Sequence, residues 1–262
     1  MHTHYRYEFE NSIEHEFKYK GKWGAKGESR GPKTKATQEQ IQKQNQRNKE
    51  NKVRRKIKAN FLPNDLWITL KPNKEKRKSM DELVKDVFNF LKAMKRAYEK
   101  EGEEFKYIYR LEIGKRGGLH CHILINRIRG HTDLIVKEKW GRYGGTVSYE
   151  AIHEAGGYKE LAAYLVKMPD EAVSKQLSFF EEPEQKDLIR YSCSRNLITP
   201  EPEVKEYTQR TVKKLVENGP TPTPGFYIDK NSIVTGINPY TGMSYYYYTE
   251  VRIKPRERDG TG

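Results

Sequence analysis

Residues 107–126 read YIYRLEIGKRGGLHCHILIN, and the pattern of this stretch decides the fold. Two runs rich in β-branched and aromatic residues, Phe105–Ile113 and Leu119–Asn126, flank the glycine-rich residues 114–118. Runs of this composition are typical of strands, and a short glycine-containing connection between two of them indicates a hairpin. The stretch therefore predicts two antiparallel strands joined by a tight turn.

Polar side chains collect on one face of this predicted hairpin. His120 and His122 are two residues apart, so they point to the same side of their strand. If Ile113 pairs with Leu119 across the turn, Glu112 lies directly opposite His120, with Cβ atoms about 5 Å apart. The other face of the second strand then carries residues suited to a core, which are Leu119, Cys121, Ile123 and Ile125.

Two imidazoles and one carboxylate on one face form a donor set for a divalent cation that keeps open coordination positions. A strand with two histidines can also be no more than a polar edge, and the opposed glutamate is what favours a metal site. The sequence therefore predicts Glu112, His120 and His122 as candidate metal ligands.

The elements on either side of the hairpin predict the fold class. A strand at Asp65–Lys71 is followed by a helix that begins at the capping box Ser79–Glu82. Apolar residues recur along that helix at helical spacing, and they are Leu83, Val87, Leu91, Met94 and Tyr98. After the hairpin come a helix at Asp133–Trp140, a strand at Thr146–Ile152 and a helix at Tyr158–Met168. The order β-α-β-β-α-β-α predicts an α+β domain with a central antiparallel sheet and helices packed on it.

Positive charge is concentrated near the N-terminus. The chain has 262 residues and a net charge of +14, and residues 17–60 hold 15 lysines and arginines against three glutamates. We predict a flexible basic arm at 18–35 and a long basic helix at 37–60. A surface of this charge attracts phosphate backbones whatever their sequence. The candidate nucleic-acid contacts on the helix are Lys52, Arg54, Arg55, Lys56 and Lys58.

The C-terminal part predicts an extension of the domain. A helix at 204–217 and a proline-rich linker at 220–224 precede a predicted hairpin of strands 226–237 and 244–253. The tyrosines at 245–248 either stack on bases or occupy the two faces of a strand. The predicted organisation has three regions, which are a basic arm and helix at 1–60, the α+β domain at 61–182 and the extension at 183–262.

Composition argues against several classes of protein. No apolar run approaches the roughly 18 residues that a membrane span requires, and the start MHTHYRYEFE is no secretory signal, so we expect a cytoplasmic protein without membrane contact. Cys121 and Cys193 are too few for a disulfide framework or a four-cysteine zinc site, and we interpret both as reduced thiols. No Walker A motif is present, so no helicase motor is expected. His2, His4 and His15 are interpreted as residues of an exposed tail.

The predicted helix at 158–168 supplies a candidate nucleophile. Tyr164 and Lys167 are three residues apart and would share a helical face. A tyrosine hydroxyl can attack a phosphodiester when a metal polarises the phosphate, and a nearby ammonium favours the phenolate or places the phosphate. Tyr164 could instead be a core aromatic beside Leu161 and Leu165, with Lys167 in solvent.

Together these motifs resemble the HUH endonucleases, named for His-hydrophobe-His. The residues that carry the resemblance are Glu112, the pair His120 and His122, and the later Tyr164 with Lys167. A Tyr-x-x-Lys motif placed after the histidines is similar to the rolling-circle replication initiators of plasmids, phages and single-stranded DNA viruses. The resemblance covers roughly residues 61–169 and implies a ferredoxin-like or RRM-like fold.

The resemblance also implies a mechanism. A divalent ion, Mg²⁺ or Mn²⁺, would lie on the glutamate and the two histidines. Tyr164 would attack the nick-site phosphate, become linked to the 5′ end and free a 3′-hydroxyl that primes synthesis, with Lys167 assisting. A later strand transfer would close the circle without ATP. Because Tyr158 precedes Tyr164 by six residues, we expect a single nucleophile.

The implied partners are single-stranded DNA at an origin hairpin, the host helicase and the host polymerase. Residues 191–197 resemble a segment of such initiators less specifically, and Arg195 and Asn196 either contact a phosphate or a base edge or cap a turn. Two other functions stay open. One is a single-strand transposase of the same superfamily. The other is a non-catalytic nucleic-acid-binding protein, which would explain the charge but not the trio with Tyr164.

Overall fold

Two five-stranded antiparallel sheets organise the chain in a computed structural model, which describes residues 2–19, 37–73, 78–114, 118–153, 155–167, 191–237 and 244–256. Each sheet belongs to one of two compact units. Unit 1 is formed by Met1–Asn45 with Thr199–Arg256, and unit 2 by Gln46–Ile198. The α+β class with antiparallel sheets, predicted from the order of elements, is confirmed.

In chain order the helices and strands are β1 (His2–Glu8), β2 (Ser12–Tyr19), α1 (Gln38–Asn60), β3 (Leu66–Lys71), α2 (Met80–Lys100), β4 (Tyr107–Ile113), β5 (Leu119–Ile125), α3 (Thr132–Gly141), β6 (Thr146–Ala151), α4 (Lys159–Val166), β7 (Tyr191–Cys193), β8 (Glu203–Tyr207), α5 (Gln209–Asn218), β9 (Phe226–Ile237) and β10 (Ser244–Arg252). Short 3₁₀ turns at Arg129–His131 and Ala155–Tyr158 precede α3 and α4. No helix in the described part of the chain is long and apolar enough to cross a membrane.

The sheet of unit 2 has the strand order β6-β3-β5-β4-β7. Its central hairpin has the predicted register, with Glu112 opposite His120 and Ile113 opposite Leu119. On the other side of β5, Thr69 of β3 lies opposite His122. The three candidate ligands therefore share one face of adjacent strands.

The opposite face of this sheet carries the main hydrophobic core, because alternate residues of β3 and β5 point into it. Cys121, Ile123 and Ile125 are buried there against α2 and α3, as predicted. The helix α2 begins at the predicted capping box, in which Ser79 and Glu82 satisfy each other's backbone N–H groups. Its predicted apolar stripe is buried, and it consists of Leu83, Val87, Leu91, Met94 and Tyr98.

A smaller core covers part of the face that holds the candidate ligands. Val53 and Ile57 of α1 pack there with Ala162 and Leu165 of α4. The sheet contributes two buried residues from β4 and β5, Ile108 and Leu124. Because α4 packs on the same face of the sheet as Glu112 and His122, its tyrosine comes within reach of the ligand set.

The end of α4 differs from the prediction. We predicted a helix at Tyr158–Met168, but the α-helix spans Lys159–Val166, and Tyr158 precedes it with a left-handed φ of 59°. Lys167 has a ψ of 132°, which is extended and not helical. The residues after Lys167, up to 190, lie outside the described part. Helical spacing therefore gives no reason for Tyr164 and Lys167 to share a face.

Unit 1 is a sheet that sequence analysis missed in part. Its order is β8-β1-β2-β10-β9, so residues predicted as an exposed tail form two strands. His2, His4 and His15 are buried in this sheet, and their prediction as tail residues is wrong. These strands were missed because their pairing partners are far away in the sequence. The strand β1 pairs with β8, and β2 pairs with β10. The polar composition of β1 and β2 hid both strands.

The C-terminal half of unit 1 follows the prediction more closely. The hairpin of β9 and β10 is present, and its turn at 238–243 lies outside the described residues. The helix predicted at 204–217 is a strand, β8, followed by α5, with Thr208 capping the helix. Tyr246 and Tyr248 are buried, while Tyr245 and Tyr247 alternate with them and stack on each other. The tyrosines thus occupy both faces of a strand. The predicted basic arm lies outside the described residues from Lys20 onward.

Candidate functional site

The site is centred on the hydroxyl group of Tyr164. This hydroxyl lies 2.7 Å from Glu112 Oε2 and 2.8 Å from His122 Nε2. The helix α4 contributes the phenol, while β4 and β5 contribute the carboxylate and the imidazole. Three residues that sequence analysis placed in two separate motifs therefore meet in one hydrogen-bonded group.

The imidazole of His122 is held from three sides. Thr69 Oγ1 lies 3.0 Å from His122 Nδ1, and the Trp67 ring stacks on the imidazole with centroids 5.6 Å apart. The Tyr164 ring meets it edge-on. Since a threonine hydroxyl can donate or accept, Thr69 can support either neutral tautomer of His122. Such a contact to the remote ring nitrogen orients a histidine that binds a ligand through the other nitrogen.

Burial sets the protonation states in the site. It lowers the pKa of His122 to about 4, although the Glu112 carboxylate acts in the opposite direction. It also raises the pKa of Tyr164, and the hydrogen bond to Glu112 raises it further, while the Arg110 guanidinium opposes both effects. At neutral pH the site therefore holds a neutral imidazole and a protonated phenol that donates to the carboxylate.

His120 lies beside the glycine-rich connection of the hairpin. A Cβ atom on Gly118 would lie 3.4 Å from His120 Nε2, and the Gly114 N–H donates to the Gly118 carbonyl at 2.8 Å. Residues 115–117, between the two glycines, are not described. The His120 ring centroid is 6.1 Å from that of His122. Burial lowers the pKa of His120, and the nearby Lys71 ammonium adds to this effect.

The chemical types of the candidate ligands, one carboxylate and two imidazoles, suit a divalent cation. Glu112 Oε2 and His122 Nε2 are 4.0 Å apart, which is wider than the roughly 3 Å between adjacent ligands at about 2.1 Å from one octahedral ion, so the two side chains would have to move closer together to bind it. As the side chains stand, however, no three His, Cys, Asp or Glu residues among those described form a group that could hold a metal ion. The Tyr164 hydroxyl hydrogen-bonds to both atoms that would bind the ion.

Three further residues of the site were missed by sequence reasoning. Thr69 and Trp67 lie on the site face of β3, and Arg110 lies on the site face of β4, two residues before Glu112. The Arg110 side chain is buried and donates to backbone carbonyls at the end of α4. The strand period of two could have placed all three on this face, because they alternate with core residues.

The predicted nucleic-acid contacts on α1 separate into two groups. Lys52 is exposed and Arg54, Arg55 and Lys56 are half-buried, so charge is available at the surface of this helix. Lys58 is only 5% exposed, and a Cβ atom on Gly157 would lie 3.3 Å from its Nζ. The cause is its place on the inner side of α1, next to the buried Ile57. The assignment of Lys58 to a DNA-binding surface is corrected accordingly.

The segment after β7 is partly explained by turn structure. Asn196 lies in a turn after β7, and its Nδ2 donates to the Phe105 carbonyl at 3.2 Å, so it links this turn to the segment before β4. Arg195 is exposed beside it. Lys167 is also exposed, and its carbonyl accepts a hydrogen bond from Arg110.

Comparison with known protein families gives a match over the domain that holds the site. The model of the family described as replication-associated protein ORF2/gene 2 protein matches residues 65–169. This range runs from the start of β3 to just beyond α4 and includes Glu112, His120, His122 and Tyr164. No curated protein and no solved structure matches the chain.

Proposed function

We propose that this protein nicks and rejoins single-stranded DNA at a replication origin through a tyrosine, because residues 65–169 match the model of the replication-associated protein family. The product of nicking would be a 5′-phosphotyrosine link and a free 3′-hydroxyl that primes rolling-circle synthesis. The observation that carries the proposal is the hydroxyl of Tyr164, which lies within hydrogen-bond distance of both Glu112 and His122.

The proposed reaction balances at named atoms. Tyr164 Oη forms a bond to the scissile phosphorus, and the hydroxyl gives up its proton to the solvent once its hydrogen bonds to Glu112 and His122 have opened. The bond from phosphorus to the 3′-oxygen breaks, and that oxygen takes up a proton to become the 3′-hydroxyl. Strand transfer is the reverse reaction with a different 3′-hydroxyl, so it consumes no ATP.

A divalent metal ion, Mg²⁺ or Mn²⁺, is part of the proposal. Glu112, His120 and His122 would hold it, with Thr69 behind His122. Such an ion, when bound, polarises a phosphate and stabilises the negative charge that develops in attack. The hydrogen bonds of the Tyr164 hydroxyl to Glu112 and His122 would open when the ion binds, and opening them also frees the nucleophile.

The DNA is proposed to approach along the charged surface of α1. The helix α1 packs beside α4, since Val53 and Ile57 share a core with Leu165 and Gln46 Nε2 donates to the Val166 carbonyl at 3.2 Å. Cations on this helix would attract the phosphates of single-stranded DNA at an origin hairpin. Four of the five predicted α1 contacts stay candidates for this role together with Arg195, and they are Lys52, Arg54, Arg55 and Lys56. The proposed role of Lys167 is to assist the attack by Tyr164. A host helicase and polymerase would act after the nick.

The experiment is incubation with a library of single-stranded origin hairpins and Mn²⁺, followed by denaturing electrophoresis and mass spectrometry. The proposal expects a covalent protein–DNA adduct that depends on Mn²⁺. DNA binding without any adduct across the library would instead favour the non-catalytic nucleic-acid-binding protein. Excision and joining of a segment between two hairpin ends would favour the transposase.

A further inference from the structure

Arg110 is buried in the site, although it belongs to neither motif. Its side chain is 5% exposed, and it lies on β4 two residues before Glu112. The guanidinium Nη1 donates to the carbonyl of Lys167 at 2.6 Å and to that of Tyr164 at 2.8 Å, with the Leu165 carbonyl at 3.3 Å. One arginine thus binds three carbonyls at one end of one helix.

These carbonyls have a particular need for a donor. The last four carbonyls of a helix have no partner within it, and the helix dipole makes this end negative. The guanidinium supplies both hydrogen bonds and positive charge at the end of α4. In return, the carbonyls compensate for the removal of a charged group from water, which is costly when uncompensated.

The same guanidinium faces the reactive side chains. Its Cζ lies 5.7 Å from the centroid of the Tyr164 ring, and its Nε lies 3.7 Å from Glu112 Oε2. The helix α4 is only eight residues long, and its end also accepts a hydrogen bond from Gln46 at the Val166 carbonyl. Arg110 therefore ties the backbone of the residue that carries the phenol to the strand that carries the carboxylate.

We propose that Arg110 is a positioning residue, which holds the C-terminal end of α4 so that the Tyr164 hydroxyl meets Glu112 and His122. The effect on nicking rests on the proposed function, whereas the effect on the position of Tyr164 does not. We assign Arg110 a positioning role and not a catalytic one, because each hydrogen bond of its guanidinium among the described residues runs from Nη1 to a backbone carbonyl. Misplacement of a nucleophile by about 1 Å can reduce a rate by roughly 10²-fold.

The test compares Arg110→Ala, Arg110→Gln and Arg110→Lys with the matched control Arg127→Ala. Arg127 also ties a side chain to a backbone carbonyl in unit 2, with Nε 3.0 Å from the Asn64 carbonyl, but it contacts no residue of the site among the bonds described. The proteins are labelled with 3-fluorotyrosine, and the ¹⁹F resonance of Tyr164 is assigned by its loss in Tyr164→Phe. Single-turnover adduct formation, DNA affinity and thermal unfolding are measured on the same samples.

The proposal expects the Tyr164 resonance to shift or broaden in the Arg110 variants while the other tyrosine signals stay in place. Adduct formation at saturating DNA should fall by about 10²-fold in Arg110→Ala, with DNA affinity retained and an intermediate rate for Arg110→Lys. Added guanidinium, far below denaturing concentrations, should restore part of the rate of Arg110→Ala and none in Arg127→Ala. If Arg110→Ala does not fold, Arg110→Lys decides.

An unchanged Tyr164 resonance in folded Arg110 variants would overturn the proposal. A rate loss equal to that of Arg127→Ala at matched stability would do the same, because it would reflect a general loss of packing. If the wild-type protein forms no adduct at all, the proposed function fails, but the resonance still decides the placement of Tyr164.

Discussion

Replacing Tyr164 with Phe removes one oxygen atom from the centre of the site and leaves the ring in place. The lost atom makes the hydrogen bonds to Glu112 at 2.7 Å and to His122 at 2.8 Å. The edge-on ring contacts with Trp67 and His122, at centroid distances of 5.9 Å and 5.2 Å, need no hydroxyl. The change therefore tests the chemistry of the hydroxyl separately from the packing of the helix.

The expected cost to stability is small. A hydrogen bond of this kind contributes about 1 kcal/mol net, and water can replace the lost partner where a group is accessible. The Glu112 side chain is 29% exposed and that of His122 is 13% exposed, so the carboxylate can be rehydrated. We expect the free energy of unfolding to fall by about 1–2 kcal/mol. Covalent attachment to DNA should be lost completely, because the Phe side chain has no nucleophile.

In Tyr164→Phe, we expect the affinity for the metal ion to rise. The Tyr164 hydroxyl competes with a cation for Glu112 Oε2 and His122 Nε2. Removing a competing interaction of about 1 kcal/mol should strengthen Mn²⁺ binding by roughly fivefold, since 1.4 kcal/mol corresponds to tenfold. Isothermal titration with Mn²⁺ measures this effect. Weaker binding by Tyr164→Phe would show that the hydroxyl is itself needed to hold the ion.

The assay for the nucleophile is mass spectrometry of the trapped adduct after nuclease digestion. The matched control is Tyr158→Phe, a buried tyrosine just before α4 that packs in the smaller core of unit 2. It should form the adduct at the wild-type rate per folded molecule. A nucleotide found on Tyr158, Tyr191 or any residue other than Tyr164 would refute the assignment, as would an adduct formed by Tyr164→Phe.

Replacing His120 and His122 together with Ala should abolish Mn²⁺-dependent cleavage in a nicking assay but spare most DNA affinity, and undiminished cleavage would remove both from the chemistry. The six lysines and arginines of residues 20–36 can be replaced with Gln. The slope of log K for DNA binding against log salt should then become shallower by about 0.7 for each single-strand phosphate that these residues neutralise. An unchanged slope would mean that this segment does not contact the DNA phosphates. Unit 1 should lose stability as pH falls from 6.5 towards 4, because burial lowers the pKa of His4 and His15 to about 4 and the unfolded chain binds more protons in this window. The loss can reach about 3 kcal/mol for His4. Hydrogen exchange of β1 and β2 amides, corrected for intrinsic rates, should show this loss, and equal protection at pH 7 and pH 5 would contradict it.

The hairpin that carries the site could be predicted in register because its information is local. The glycine-rich connection between Ile113 and Leu119 is short, and strand alternation then determines which residues share a face. The same local logic gave α2, whose capping box and apolar stripe lie within one segment of the chain. Predictions of this kind need no knowledge of distant partners.

The sheet of unit 1 could not be predicted in the same way. Its N-terminal strands have partners near the other end of the chain, with His2 opposite Tyr207 and Phe17 opposite Tyr246. Within it His4 stacks on Phe17 and His15 stacks on Tyr248, so histidines take places where apolar residues are expected. No local pattern in a polar, aromatic segment indicates such a stack.

Arg110 was missed for a different reason. Its partners are backbone carbonyls, which every residue has, so no motif of side chains in the sequence points to it. The helix end that it binds was also predicted two residues too late, at Met168 instead of Val166. Residues that act through the backbone become visible only when the chain is folded.

In β4 and β5 of unit 2, residues that face the candidate site alternate with residues that face the hydrophobic core. Between the two histidines lies Cys121, a fully buried thiol on the core face whose pKa is raised by burial, so it is neither ionised nor placed to bind a metal on the site face. Leu111 lies likewise between Arg110 and Glu112 and faces the core. Substitutions at Glu112 or His120, which are partly exposed, leave the main core untouched. The site can therefore vary in its ligands while alternate residues of the same strands keep the sheet packed against α2 and α3.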